Sequence, residues 1–153
     1  MIFAKHGLAH SYLDQLLHEK DLYKEYTAFV EGTIESQTGC INEPIGRMEN
    51  SIIKRQVMDS GKPSMTEYWV KKRYAKSTQV KIQLHTGRTH QIRVHFSAMN
   101  HALLGDTLYN PDADEKLIAR QALHCSRIIF RASVYGGTTG SEGPAAGGSD
   151  DII

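Results

Sequence analysis

The clearest pattern along the chain is an alternation of apolar and polar residues that predicts a β-hairpin. From residue 78 to 84, Val80, Ile82 and Leu84 fall on one side and the residues between them are polar. A period of two is typical of a strand with one buried face. The preceding segment, 67–74, is rich in aromatic and β-branched residues, so the two segments are predicted to form the arms of one hairpin.

Two other segments show the spacing of an amphipathic helix. Apolar residues recur three and four positions apart between Leu8 and His18, which predicts a first helix. A second helix is predicted to start from a cap at Thr86 or Thr89 and to run to about Met99. The buried stripe of this helix is expected to consist of Ile92, Phe96 and Met99.

The rest of the pattern completes a mixed fold. The composition predicts strands at 23–32 and 121–132, loops and short strands over 35–63, and a short helix at 114–120. The fold class is therefore α+β, with a mixed, largely antiparallel sheet and flanking helices. Six glycines between residues 136 and 148 mark a change of character. Residues 1–132 are predicted to form one domain, and 133–153 a disordered low-complexity tail.

Composition narrows the class of protein without naming a function. A chain of 153 residues suffices for one domain with a core, and no apolar run is long enough to span a membrane. The N-terminus lacks a signal-peptide pattern, so a cytoplasmic location is expected. Cys40 and Cys125 match no metal or redox spacing and are expected to be thiols rather than a disulfide.

Charge is distributed unevenly, although the net charge is only +1. Between Lys62 and His95 there are eight lysines and arginines and a single acid, Glu67, whereas the first 61 residues hold nine acids and six bases. Such a basic stretch could bind a polyanion. It could equally be a solvated strand face whose lysines protect a sheet edge.

The segment 84–95 carries the densest candidate chemistry, with two arginines and three histidines around a Thr-Gly turn. Basic side chains beside free N–H groups at a helix start form an anion site, for phosphate or a carboxylate. Ordinary surface basics are the alternative. A metal site is not expected, because His85, His90 and His95 are spaced by five and would not share one helix face. The other two candidates, His101 and His124, are expected to be structural.

Two further features allow more than one interpretation. The turn Gly105–Tyr109 could be a plain turn, or Asp106 could hold an arginine in place. A strand tyrosine, Tyr23 or Tyr26, could pack in the core, or its ring could stack on an RNA base.

Taken together, these segments resemble the RluA-type RNA pseudouridine synthases over about Ile2 to Phe130. The most specific match is Thr86–His95, which reads Thr-Gly-Arg-Thr-His-Gln-Ile-Arg-Val-His. The other matching segments, in the order of that family, are Phe3–Lys5, Lys24–Gly32, Gly39–Arg47, Gly61–Ser64, Leu103–Tyr109 and Gln121–Cys125.

The resemblance implies the isomerisation of uridine to pseudouridine in RNA, without cofactor or metal. Ribosomal RNA is the expected target, ahead of transfer RNA. By the family pattern, Tyr26 and Arg93 are catalytic: Tyr26 stacks on the flipped base and assists proton removal, and Arg93 pairs with a nucleophilic aspartate. The predicted RNA contacts are Arg88, His90, Gln91, His95, Lys62, Lys71, Lys72 and Arg73. The residues with a predicted structural role are Gly87, Gly105, Asp106 and Tyr109.

One motif of that family has no match here. The nucleophile is expected in a His-Arg-Leu-Asp-x-x-Thr-Ser-Gly motif, and this sequence contains none. The chain is expected to begin inside the strand that follows the nucleophile, so the catalytic domain is truncated. Three hypotheses follow: a partial synthase, a catalytically inactive RNA-binding remnant, or a fragment without function.

Overall fold

The computed structural model describes residues 5, 7, 11, 22–113, 118–130, 133–134 and 137–138. The strands are β1 (Leu22–Glu31), β2 (Thr38–Ile41), β3 (Ile45–Arg47), β4 (Arg55–Val57), β5 (Thr66–Arg73), β6 (Ser77–Leu84), β7 (Leu123–Phe130), β8 (Ser133–Val134) and β9 (Gly137–Thr138). The described helix α1 is Gln91–Ala98.

Five strands form the main sheet, in the order β2-β5-β6-β1-β7. β5 pairs antiparallel with β6 on one side and with β2 on the other, and β6 pairs antiparallel with β1. The predicted hairpin is therefore confirmed as β5 and β6, and the predicted strands at 23–32 and 121–132 correspond to β1 and β7. The α+β fold with a largely antiparallel sheet is confirmed.

The register of the sheet explains where the core lies. One row across three strands joins Ala28, Val80 and Val70, and all three are buried. The next row places Ile82 opposite both Tyr26 and Tyr68. Because side chains alternate between the faces of a sheet, these rows share one face. The helix α1 covers that face with Ile92 and Phe96, as the periodicity predicts, and Met99 packs against the same core.

The start of α1 differs from the prediction. Neither Thr86 nor Thr89 is the cap; the N-cap position is His90, in the left-handed conformation and without a side-chain cap hydrogen bond. The side chain of Gln91 organises this turn instead. Its Oε1 accepts the Arg88 N–H at 3.0 Å and the Thr86 hydroxyl at 2.8 Å. A glutamine amide offers an acceptor and two donors, so it can join segments that a threonine cap could not reach.

Contacts divide the chain into two compact units, Glu25–Ser126 and Met1–Lys24 with Arg127–Ile153. In the second unit, β8 and β9 pair as a short antiparallel hairpin within the predicted tail. The rest of that tail, and the predicted helix 8–18 apart from Ser11, lie outside the described residues. Of the predicted helix 114–120, the described residues 118–120 are not helical. The described part of the chain holds no helix long and apolar enough to cross a bilayer.

Candidate functional site

The centre of the candidate site is a buried ion pair between Arg93 of α1 and Asp106 in the loop that follows. Arg93 Nε donates to Asp106 Oδ2 at 2.7 Å, and Nη2 donates to Oδ1 at 2.6 Å. The Asp106 side chain is 0% exposed and that of Arg93 is 13% exposed. The bond to Asp106 raises the pKa of Arg93, and burial opposes this. Asp106 therefore holds an arginine in place, the alternative that the turn sequence left open.

Asp106 also organises its own turn. Its carboxylate accepts the Tyr109 N–H, and its main-chain carbonyl accepts the Asn110 N–H at 2.8 Å. Gly105 precedes it with φ of +69°, and a Cβ there would lie 2.4 Å from the Arg120 carbonyl oxygen. Gly105 is therefore required both by its left-handed backbone and by this close approach.

Tyr109 connects the ion pair to the hairpin formed by β3 and β4. Its ring lies under the Arg93 guanidinium, with 4.9 Å between Cζ and the ring centroid. Its hydroxyl accepts the main-chain N–H of Arg55 at 3.0 Å and lies 2.9 Å from His90 Nδ1. Burial is the main cause that raises the pKa of Tyr109. The phenol therefore stays protonated at neutral pH and acts as a fixed hydrogen-bonding group.

Beside this cluster lies a basic groove of about 470 Å³. Four of its lining residues are cationic, and no acidic residue is among its described lining residues. The four cations are Arg47, Arg55, Lys62 and Arg88. Like charges that converge on one groove without an acid create a positive potential suited to a polyanion.

The groove is built by close backbone approach. Lys62 exchanges two main-chain hydrogen bonds with Ile45, at 3.0 and 2.8 Å, which fixes it beside β3. A Cβ on Gly61 would lie 2.5 Å from the Ile45 carbonyl carbon. Arg88 is held from the opposite side, where its Nε donates to the Pro63 carbonyl at 3.1 Å. Three chain segments distant in sequence therefore meet at one surface.

Two groove arginines, Arg47 and Arg55, were not among the predicted RNA contacts. They lie in the acid-rich first part of the chain, where charge counting gives no signal. Arg47 belongs to a segment that matches the family, which is the signal that could have found it, and Arg55 lies in no matching segment. At the tip of the same hairpin, Ile52 and Ile53 are 86% and 61% exposed. The turn that presents them is fixed by the Ser51 hydroxyl, which accepts the N–H groups of residues 53 and 54.

Two predicted RNA contacts are corrected by their burial. Gln91 is 2% exposed and His95 is 0% exposed. Gln91 Nε2 donates to the Met65 carbonyl and to the Thr66 hydroxyl, each at 3.0 Å. His95 Nδ1 lies 2.9 Å from that hydroxyl, and Nε2 lies 2.9 Å from the Glu43 carbonyl. Because their polar groups form hydrogen bonds inside the protein, these side chains have a structural role here.

Gly87 is also corrected. It was assigned a structural role, but its φ is not positive and nothing lies within 4 Å of the position its Cβ would take. No steric reason for glycine therefore exists in the structure. Gly87 lines the basic groove, next to Arg88.

The predicted basic stretch does not form one surface. Lys71, Lys72 and Arg73 occupy the far end of β5, about 17–23 Å along the strand from Thr66. Arg73 is bonded to the loop before β2, where it donates to the carbonyls of residues 34 and 35 and to the amide oxygen of Gln37. Lys62 and Arg88 therefore lie at the groove, and the three basic residues at the far end of β5 form a separate surface.

Tyr26 lies on β1 opposite Ile82 and is half-buried against the core. Burial raises the pKa of Tyr26, with a smaller contribution from Cys125. A neutral phenol suits stacking on a base, and a raised pKa makes proton removal by a phenolate harder. The described residues show no hydrogen bond between Tyr26 and the Arg93 cluster, which consists of Arg93, Asp106 and Tyr109.

The described residues contain no group of three or more possible metal ligands. His101 Nδ1 lies 2.7 Å from the Glu31 carbonyl, in agreement with its predicted structural role. No disulfide joins Cys40 and Cys125.

Comparison with known proteins places this geometry in a family. The model of the RNA pseudouridylate synthase family matches residues 1–98. The Bacillus subtilis protein named uncharacterized RNA pseudouridine synthase YhcT is 44% identical over 84% of this chain and 42% of its own length. Ribosomal large subunit pseudouridine synthase D of Vibrio cholerae is 37% identical over 89% of this chain and 45% of its own.

A solved structure agrees with the sequence comparisons. Human RNA pseudouridylate synthase domain containing 1 superposes with a TM-score of 0.75 at 29% identity, over 82% of this chain and 56% of the human one. The chain thus spans less than half the length of the two bacterial relatives. The matched sequence and fold together show that this chain belongs to the RluA-type RNA pseudouridine synthase family.

Proposed function

We propose that this chain binds RNA through the basic groove and supplies Arg93 and Tyr26 to the isomerisation of a uridine. One observation carries the proposal: the groove and the Arg93 cluster share Arg55. Arg55 lines the groove, while its main-chain N–H bonds to the tyrosine beneath Arg93. RNA phosphates held in the groove would therefore lie beside the residue assigned to catalysis.

The groove has the chemistry that RNA phosphates require. Contacts to phosphate supply most of the affinity for nucleic acid and carry no sequence information. Arg47, Lys62 and Arg88 come from different segments and converge on one groove. This arrangement fixes the path of an RNA backbone and leaves sequence or shape to other residues.

Arg93 is suited to hold a second carboxylate. A guanidinium has five N–H donors, and Asp106 takes two of those on Arg93. In the described structure no fully buried side-chain nitrogen lacks a partner, so the unbonded Nη1 is not fully buried. A nucleophilic aspartate from a His-Arg-Leu-Asp motif could bind there and stay ionised, because an adjacent arginine lowers a carboxyl pKa.

The reaction that the family name states moves the base on its ribose. The bond from C1′ to N1 of uracil breaks, a bond from C1′ to C5 forms, C5 loses a proton and N1 gains one. A target base must leave its stack to be reached, and the neutral Tyr26 ring is suited to stack on it. Ribosomal RNA is the substrate class we favour, because the Vibrio cholerae relative is named for the large ribosomal subunit.

The test uses RNA labelled with tritium at C5 of uridine, because the proposed reaction releases that label. The chain alone should bind the RNA without releasing tritium. The same chain joined to a segment that carries His-Arg-Leu-Asp-x-x-Thr-Ser-Gly should release it. Release by the chain alone would place the nucleophile within these residues and overturn the assignment, and a lack of RNA binding would overturn the proposal itself.

Two variants of the joined protein test the residue roles. Arg93→Ala should lose most turnover and keep most RNA affinity, and Arg93→Lys serves beside it because alanine would leave Asp106 buried without a counter-ion. Tyr26→Phe keeps the ring and removes the phenol. A parent turnover rate in Tyr26→Phe would exclude a proton role for Tyr26.

An RNA-binding protein without catalysis is the second candidate, because the groove does not depend on a nucleophile. It predicts binding that weakens steeply with salt and no product even in the joined protein. A fragment without function would instead unfold without a cooperative transition and bind hydrophobic dye.

A further inference from the structure

His90 is held in an uncommon backbone conformation at the start of α1. Its φ is 58° and its ψ is 20°. A left-handed conformation costs a residue with a Cβ about 1 kcal/mol or more. Such conformations persist where the surroundings hold them and often occur at functional sites. The contacts of the His90 ring show what holds it.

Tyr109 holds the ring in position and favours one tautomer. The two rings meet edge to face, 5.6 Å apart, and His90 Nδ1 lies 2.9 Å from the Tyr109 hydroxyl. That hydroxyl accepts the Arg55 N–H, and donation of its one proton to Nδ1 satisfies both groups. A neutral imidazole that accepts at Nδ1 carries its proton on Nε2.

The surroundings favour a neutral His90 and leave Nε2 without a partner among the described residues. Burial, followed by the charges of Arg93 on α1 and Arg55 on β4, lowers the pKa of His90, while Asp106 in the next loop opposes this. No described residue forms a hydrogen bond with Nε2. Because no fully buried side-chain nitrogen in the described structure lacks a partner, Nε2 is not fully buried.

We propose that His90 is a specificity residue that donates its Nε2–H to a carbonyl oxygen of an RNA base, and that Tyr109 is its positioning residue. This rests on the proposed function. A neutral donor is the weaker choice for a phosphate, for which the groove already provides four cations. A base carbonyl is a neutral acceptor, and a directed N–H identifies it by position.

The first experiment needs no RNA. A two-bond ¹H–¹⁵N correlation spectrum at pH 7.5 should show His90 as the Nε2–H tautomer, assigned by loss of the signal in His90→Gln. His101 is the internal reference of opposite tautomer, since its Nδ1 must donate to the Glu31 carbonyl. In Tyr109→Phe, the His90 signal should shift toward a tautomer mixture. A protonated or Nδ1–H ring in the parent protein would overturn the proposal.

The second experiment compares a uridine decamer with an abasic decamer of the same backbone length. His90→Asn tolerates the left-handed conformation and has no group at the Nε2 position. It should bind the uridine decamer about tenfold more weakly, as expected for one lost hydrogen bond, and the abasic decamer equally well. His90→Gln, which can place an N–H near that position, should recover part of the affinity.

The outcomes separate this inference from the proposed function. If the parent protein binds both decamers and His90→Asn binds each as tightly as the parent does, the proposed role of His90 is overturned and the proposal of RNA binding is kept. An equal loss on both decamers would make the acceptor a phosphate and overturn the base contact. Failure of the parent protein to bind either decamer would overturn both proposals.

Discussion

At the scale of single residues, Asp106 has the largest expected effect on stability. We expect Asp106→Asn to lower the free energy of unfolding by about 3 kcal/mol, because it leaves the largely buried Arg93 without a counter-ion. Urea denaturation measures the change. Asp112→Asn on the exposed part of the same loop is the matched control, expected within about 0.5 kcal/mol of the parent. A loss below about 1 kcal/mol for Asp106→Asn would mean that water solvates Arg93 well enough to compensate for the missing carboxylate.

Two glycines provide a matched pair of residue-scale tests. Gly105→Ala would put a Cβ 2.4 Å from a main-chain oxygen at a positive φ. We expect it to destabilise the protein by about 1–3 kcal/mol. Gly87→Ala meets nothing within 4 Å and should not lower the melting temperature. If both variants lower it equally, the assignment of only Gly105 to a structural role is wrong.

At the scale of elements, a chain of polar groups joins β5, α1 and the loop before β3. Thr66 accepts from Gln91 and lies next to His95 Nδ1, and His95 Nε2 reaches the Glu43 carbonyl. Each contact satisfies a polar group that burial would otherwise penalise. The network thus holds the helix against the strand ends that frame the groove.

This network predicts a stability that declines in mild acid. Burial lowers the pKa of His95 below its usual 6.5. The unfolded chain therefore takes up a proton first as the pH falls. The stabilisation from neutral His95 is complete above about pH 6.5. It is lost as the pH falls toward the pKa of His95 in the folded protein, by at most about 1.4 kcal/mol per pH unit. His90, whose pKa is also lowered, contributes in the same direction.

Denaturation at a series of pH values between 5 and 8 tests this expectation. His95→Gln should flatten the decline, although the variant starts from a lower stability. Exposed His124→Gln is the control and should keep the parent slope. An unchanged slope in His95→Gln would mean that other groups cause the acid sensitivity.

The β3–β4 hairpin has a surface that contacts within the protein explain least. Its tip exposes Ile52 and Ile53, although the turn is well bonded. The double substitution Ile52→Ser and Ile53→Ser should leave the free energy of unfolding within about 0.5 kcal/mol. We expect it to weaken RNA binding without changing the salt dependence, because it removes apolar contact and no charge. Unchanged affinity would exclude the tip from the RNA interface.

At the scale of the whole molecule, the distribution of charge determines where we expect RNA to bind. The net charge is only +1, so attraction depends on the groove rather than on the overall field. With single-stranded RNA, we expect Lys62→Ala to reduce the slope of log affinity against log salt by about 0.7, as for one lost phosphate contact. Lys71→Ala, at the far end of β5, should leave the slope unchanged. Equal reductions would show that RNA spans both ends of the strand.

How much could be predicted from the sequence varies with the range of the interaction. The β5–β6 hairpin and the stripe on α1 follow from local periodicity, because burial of one face imposes a repeat of two or of about 3.6 residues. The helix cap was predicted wrongly, because it depends on Gln91 reaching Met65 and Thr66 across the fold. Sequence periodicity contains no information about such a contact.

Family, sheet pattern and the candidate Arg93 were thus determined by the sequence alone, since each depends on residue type and local spacing. Only the tertiary structure decided that Asp106 pairs with Arg93, that Tyr109 links this pair to Arg55, and that Gln91 and His95 are buried. It also separated the basic stretch into two ends and joined Lys62 and Arg88 to two arginines from an acid-rich segment. The physical reason is that charge, burial and hydrogen bonding act between neighbours in space, and these neighbours are distant along the chain.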